Sequence, residues 1–184
     1  MGKLSVFNFA SLNGFYKDVN NGIGWHRHEG EEVQFSVDSL SAENILLFGR
    51  VTYDMMASFW PTQQAIENLP QVADGMSKAE KIVFSNTLKT AGWGNTRVMN
   101  GDIAAKIKAL KQTSAKDLTI LGSGSILTQF AEAGLIDTYQ FMIDPVALGD
   151  GGTMFRGIKH TLNLKMISHR TFNTGTVLLT YHPL

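Results

Sequence analysis

The chain has 184 residues, is 43% hydrophobic, and balances 16 basic against 16 acidic side chains. At about 100–200 residues per domain, a single domain over residues 1–184 is expected. A cancelled charge argues against a general nucleic-acid binder, which needs clustered Lys and Arg to neutralise phosphates. With no cysteine, a disulfide framework, a thiolate nucleophile and a Cys-ligated zinc site are all excluded. Met1–Phe15 is a poor signal peptide and no apolar run nears the roughly 20 residues that span a bilayer. The expectation is a cytoplasmic protein with a small-molecule partner and no membrane or nucleic-acid partner.

In chain order, short apolar runs alternate with helical patterns. Leu4–Phe9, Ile45–Phe48, Lys81–Phe84 and Leu118–Leu121 have the length and composition of strands covered on both faces. A helix is expected over about Glu31–Ala42. Another covers Arg50–Phe59, with Met55, Met56 and Phe59 on one side and Pro61 beyond its end. Asp102 reads as an N-cap, because Ile103, Ile107 and Leu110 follow at the spacing of one helix face. Ser125–Ala133 carries an apolar stripe and ends before Gly134. In the final third, Tyr139–Asp144 and Leu162–Met166 alternate apolar with polar residues, and Thr176–His182 follows the turn Asn173–Gly175. These last two form an antiparallel hairpin in the expected architecture, an α/β fold with a mostly parallel sheet. Ligands of such sheets sit at the carboxyl ends of the parallel strands.

Three of those ends carry anion-suited groups. Gly49-Arg50-Val51-Thr52 opens a helix; glycine admits close approach, free N–H groups face outward, and Arg50 can grip a phosphate through two parallel hydrogen bonds. Ser85-Asn86-Thr87 supplies small polar side chains that are equally good turn formers. Gly122-Ser123-Gly124-Ser125 leads into another helix and suits a pyrophosphate. It lacks the full Gly-x-Gly-x-x-Gly fingerprint and the Gly-Lys-Ser/Thr of a P-loop.

The order of several motifs resembles the dihydrofolate reductase-like fold, specifically the reductase domain of bacterial riboflavin biosynthesis (the RibD C-terminal domain) and its free-standing relatives. Ala10-Ser11-Leu12-Asn13-Gly14 resembles the family's Ala-Ser-x-Asp-Gly, with Asn13 for the usual Asp. Leu46-Leu47-Phe48-Gly49-Arg50-Val51-Thr52-Tyr53 matches its Gly-Arg-x-Thr motif, and Phe59-Trp60-Pro61 resembles the aromatic-Trp-Pro of the free-standing members. Gly134-Leu135-Ile136-Asp137 and Pro145 to Phe155 resemble its C-terminal signature. The resemblance implies a three-layer α/β/α domain and NADPH as hydride donor. It places Gly49, Arg50 and Thr52 at cofactor phosphates, with Arg50 as candidate for the 2′-phosphate. Ser85 and Asn86 fall at the adenosine end, Gly122, Ser123, Gly124 and Ser125 at the pyrophosphate, Ala10 and Leu12 at the carboxamide, and Gly14 at the loop over the nicotinamide. The acceptor implied is a pteridine, dihydrofolate or 5-amino-6-(5-phosphoribosylamino)uracil-like heterocycle. Trp25 and Trp60 are candidates for its binding, and a homodimer is implied by analogy.

Hydride transfer also needs a proton source. Trp25 is followed by His26-Arg27-His28-Glu29-Gly30-Glu31-Glu32, which offers Glu31, Glu32 and His28 as catalytic candidates, with Asp38 and His26 as further ones. Two rival readings are a non-catalytic nucleotide-binding module and a metal site at His26, His28 and Glu32 of the kind found in all-β cupins.

Overall fold

The computed structural model describes residues 1–184. Its elements in chain order are β1 (Leu4–Ser11), β2 (Phe15–Lys17), α1 (Glu31–Ser41), β3 (Ile45–Gly49), α2 (Arg50–Phe59), α3 (Gln63–Asn68), α4 (Pro70–Lys78) and β4 (Lys81–Phe84). They continue with β5 (Thr96–Met99), α5 (Ile103–Thr113), β6 (Leu118–Leu121), α6 (Gly124–Glu132), β7 (Thr138–Asp144), β8 (Gly152–Thr153), β9 (Leu164–Thr171) and β10 (Val177–Pro183). Eight strands form one sheet in the order β5-β4-β3-β6-β1-β7-β10-β9. β5 to β7 run parallel, and β10 lies antiparallel to both β7 and β9. β2 and β8 form a separate antiparallel ribbon.

The two faces of the sheet follow from strand alternation. Along β3, Ile45 and Leu47 join a core with Val6, Ile120, Ile107 of α5 and Phe130 of α6. Leu46 and Phe48 point the other way, into a core with Tyr53 of α2, Val72 and Met76 of α4, and Val83. Every residue of β3 and β4 is buried, as near-continuous apolar runs require when helices cover both faces. Each fully buried Leu or Phe contributes about 1.5–3 kcal/mol, so these layers fix the strand ends that carry the glycine turns.

Helix boundaries follow local chemistry. Asp102 caps α5, its carboxylate accepting the Ala105 N–H at 3.0 Å. α6 begins one residue earlier than expected, at Gly124, and ends at Glu132. The α4–β4 junction is held by Lys81, which is 1% exposed. Its ammonium donates to the Met76, Ser77 and Ala79 carbonyls at 2.8, 3.2 and 2.6 Å and lies 4.5 Å from the Trp93 ring centroid. A cation thus satisfies carbonyls that a helix end leaves free.

The expected C-terminal hairpin forms, with β9 antiparallel to β10, though its first strand starts at Leu164 and runs on to Thr171. β9 is the outer edge of the sheet and almost wholly exposed, with Met166 and Ile167 open to solvent. The structure also adds α3, α4, β2, β5 and β8, which the sequence pattern does not announce. α4 carries Pro at its first position, where the missing N–H costs nothing.

Candidate functional site

The carboxyl ends of β3 and β6 lie side by side, because these strands pair in parallel. Each runs directly into a helix, so the first turns of α2 and α6 open on the same side. The two turns are tied together: the Gly49 N–H donates to the Ser123 Oγ at 2.7 Å in a buried hydrogen bond. Ser123 stands at the N-cap of α6 but turns its hydroxyl away from its own helix.

Glycine is required here for space and for backbone sign. A side chain at Gly49 would meet Ser123 Oγ at 3.1 Å and Ile126 Cγ1 at 3.2 Å. Gly122 and Ser123 are both left-handed, with φ of +62° and +60°. For serine this conformation costs roughly 1–2 kcal/mol, and such strain persists where surroundings over-determine it. A Cβ on Gly122 would stand 3.1 Å from Thr52 Cγ2, so Thr52 and Gly122 close against one another. Gly124 has Tyr16 of β2 packed on it, leaving no room for a side chain. Arg50 donates through Nε to both carboxylate oxygens of Asp54, at 2.9 and 2.7 Å. Its terminal nitrogens have no hydrogen-bond partner in the protein.

These turns line one end of a cavity of about 1070 Å³. Along its length lie Phe9, Phe35, Met56 and Trp60, together with the imidazoles of His26 and His28. Trp60 is turned by its indole N–H, which donates to the Met56 sulfur at 3.1 Å. Asn8 of β1 lies at the junction beside Gly122. It is 3% exposed, and its Nδ2 has no protein partner. A buried amide donor left open is expensive unless a ligand completes it.

Behind the imidazoles stands a carboxylate. Asp144, last residue of β7, accepts His26 Nδ1 at 2.9 Å and the Arg27 N–H at 3.1 Å. The His26 ring stacks on Phe9 with centroids 3.6 Å apart. His28 stands edge-on to His26 at 5.4 Å. Burial above all, and then the neighbouring His26, push the His28 imidazole down from 6.5 to about 4, so it is neutral at pH 7.

The expected site residues distribute unevenly. Gly49, Arg50, Thr52, Gly122, Ser123, Gly124, Ser125, Trp60 and His28 share the cavity. Ser85 and Asn86 do not line it, and they serve turns of their own. Ser85 Oγ accepts the Leu88 N–H at 3.0 Å, and Asn86 Oδ1 accepts the Gly101 N–H at 3.1 Å. Ala10, Leu12, Gly14 and Trp25 are outside its lining as well. The Leu12 N–H is already committed to the Val146 carbonyl at 2.8 Å. Glu31 accepts the Asn173 N–H at 3.0 Å and faces Arg170 at 3.5 Å. Glu32 is buried and accepts the Thr174 hydroxyl. Neither carboxylate lines the cavity, and no three His, Asp or Glu side chains are grouped to hold a metal ion.

Asn13 accounts for its own departure from the expected Asp. Its Oδ1 accepts the Leu148 N–H at 3.0 Å while its Nδ2 donates to the Leu148 carbonyl at 2.7 Å. An amide does both, whereas an ionised carboxylate can only accept. It joins the β1–β2 turn to the segment before β8. Sequence reasoning missed Asn8 and Asp144, and neither sits in a local pattern that could have marked it.

The architecture is that of a dihydrofolate reductase-like domain. A dihydrofolate reductase from Enterococcus faecalis, solved with NADP(H) and RAB-propyl, superposes with a TM-score of 0.70 at 16% identity, covering 99% of this chain and 96% of that one. A protein from Shewanella sp. PV-4 assigned to riboflavin biosynthesis superposes with a TM-score of 0.77 at 22% identity, over 99% of both chains. The RibD C-terminal domain family model matches residues 3–178, and the chain belongs to that family. The uncharacterized protein YyaP of Bacillus subtilis (strain 168) is 29% identical over 173 residues, 94% of this chain and 90% of its own. No helix is long and apolar enough to cross a membrane.

Proposed function

We propose that the protein is an NADPH-dependent reductase that delivers hydride to a small heterocyclic acceptor of the pteridine or 5-amino-6-(5-phosphoribosylamino)uracil kind. One observation carries this reading: two glycine turns, locked by the Gly49–Ser123 hydrogen bond, open two helix N-termini onto one cavity that continues into an aromatic chamber. Helix N-termini with close backbone approach suit phosphates, and the orphaned Asn8 amide suits a polar ligand group beside them. The residues present therefore fit a dinucleotide.

When bound, the nicotinamide supplies the hydride. The chain's residues do the rest. Gly122–Ser125 and the start of α2 hold the phosphates, and the terminal nitrogens of Arg50 are free for a 2′-phosphate. Phe9, Phe35, Met56 and Trp60 seat a planar acceptor and exclude water from the reacting atoms. Family membership and the superposition on a dihydrofolate reductase support the reading. The exposed β9 edge, with Met166 and Ile167 outward, supports a homodimer, which sedimentation would test.

Calorimetric titration with NADPH and NADH, followed by turnover with dihydrofolate or the ribosylaminopyrimidine, tests the function. Micromolar NADPH binding with cofactor oxidation is expected. Binding without reduction of any acceptor would make the protein a nucleotide-binding module, and no binding at millimolar NADPH would overturn the cofactor reading.

A further inference from the structure

We propose that His26 is the acid that protonates the acceptor, with Asp144 as the positioning residue that directs its proton. The inference rests on the reductase reading of the cavity and adds the group that sequence reasoning left open.

Two contacts fix the ring and a third fixes the carboxylate behind it. Asp144 Oδ2 engages Nδ1 at 2.9 Å, the second oxygen of Asp144 is held by the Arg27 N–H at 3.1 Å, and Phe9 covers one ring face at 3.6 Å. The side chains of His26 and Asp144 are 2% and 1% exposed. The remaining polar atom, Nε2, is buried without a protein partner, and the ring lines the cavity beside Phe9. A carboxylate on Nδ1 fixes the tautomer and the orientation of the ring, leaving Nε2 as the position where a proton arrives and leaves.

The competing carboxylates stand outside the cavity that His26 lines. Glu31 binds Asn173 and Arg170, and Glu32 gives one oxygen to Thr174 while its other, Oε2, is buried without a partner. His28 also has an open Nε2, but no carboxylate orients its ring as Asp144 orients His26, and burial with His26 beside it holds its imidazole neutral, a weaker acid than an imidazolium. The charged and titratable groups around His26 are therefore Asp144 from β7, His28 beside it, Glu32 from α1, and Arg27, whose guanidinium donates to the Thr174 carbonyl at 3.1 Å.

The step balances. Hydride from the reduced nicotinamide adds to the carbon of an acceptor C=N bond, and the bond's electron pair moves to nitrogen. That nitrogen takes the proton from His26 Nε2–H. The imidazolium becomes neutral imidazole, keeping its Nδ1–H toward Asp144, and solvent restores the proton after release. The cofactor leaves oxidised by two electrons.

The test combines kinetics with a readout that needs no acceptor. In His26→Gln, turnover with dihydrofolate as probe should fall 10²–10⁴-fold, the usual contribution of a positioned acid, while NADPH affinity stays within about twofold. The wild-type rate should decline toward alkaline pH, and this limb should be absent in His26→Gln. A smaller loss, by at least tenfold, is expected in His28→Gln. In ¹⁵N–¹H spectra of the unliganded protein, the neutral His26 ring should carry its proton on Nδ1, and Asp144→Asn should abolish that tautomer preference. A His26 ring with its neutral proton on Nε2, or a His26→Gln variant that keeps turnover and its alkaline limb, would overturn the assignment. Failure of the wild type to bind NADPH would instead defeat the reductase reading, and the role of His26 with it.

Discussion

Ser123 and Gly49 lie 74 residues apart, yet the Ser123 hydroxyl accepts the Gly49 N–H at 2.7 Å and joins the start of α2 to the start of α6. One hydrogen bond thus spaces the two helix ends that the proposed cofactor must bridge. It also holds Ser123 in a left-handed conformation that serine otherwise avoids.

Removing that hydroxyl should cost both stability and binding. Ser123→Ala leaves a buried N–H without a partner, a loss of about 2 kcal/mol. In a domain of this size Tm should drop by roughly 4–8 °C, read by calorimetry, and NADPH should bind more weakly. An unchanged Tm would mean that the two turns hold their spacing without the bond.

Arg50 should discriminate between nicotinamide cofactors. Its pairing with Asp54 is exposed and four residues apart on one helix, a contact worth about 0.3–0.5 kcal/mol. Arg50→Ala should therefore barely move Tm. Its NADPH Kd should rise at least about tenfold, equivalent to roughly 1.4 kcal/mol, with NADH binding unaltered. Equal losses for both cofactors would remove Arg50 from the 2′-phosphate.

The acid limb of stability should depend on His28. Its imidazole is pushed down from 6.5 to about 4, mainly by burial. Between those values the unfolded chain binds a proton there that the folded chain does not, so stability rises with pH and is lost as pH falls from 6.5 toward 4. His28→Gln should flatten that limb in denaturant titrations at pH 7, 5.5 and 4.5. A limb of the same steepness in the variant would place its source elsewhere.

Restoring the family's carboxylate at position 13 should be unfavourable. Asn13→Asp removes the donor to the Leu148 carbonyl and sets two acceptors against each other. A loss of about 1 kcal/mol is expected, or roughly 2–4 °C in Tm. An Asn13→Asp variant more stable than the wild type would show that the segment before β8 is held by other contacts.

The elements legible in the sequence were those whose own composition decides them. β3, β4 and β6 are short apolar runs ended by Gly or Ser, and Asp102 sits one residue before the α5 stripe it caps. β5 carries mixed residues and becomes a strand only by pairing with β4. β2 and β8 contain three and two residues, too few for any period. The glycine turns were legible because glycine next to a helix start has local meaning. The pairing of His26 with Asp144 spans 118 residues, and only the placement of β7 beside β1 brings it about. Asn8 is similarly silent: a polar residue in an apolar strand shows its purpose only once Gly122 is seen beside it.

Tyr16 occupies the space that a side chain at position 124 would need, and it belongs to the ribbon that pairs β2 with β8. The first residue of α6 and a two-stranded flap far from it in sequence are therefore in register through one phenol ring. A bulkier residue at 124 would be felt as a displaced ribbon, and Tyr16, which lines the cavity at the start of α6, stands beside the place where the proposed cofactor would arrive. Stopped-flow traces of Tyr16→Ala and wild-type protein should then differ in arrival rate more than in departure rate.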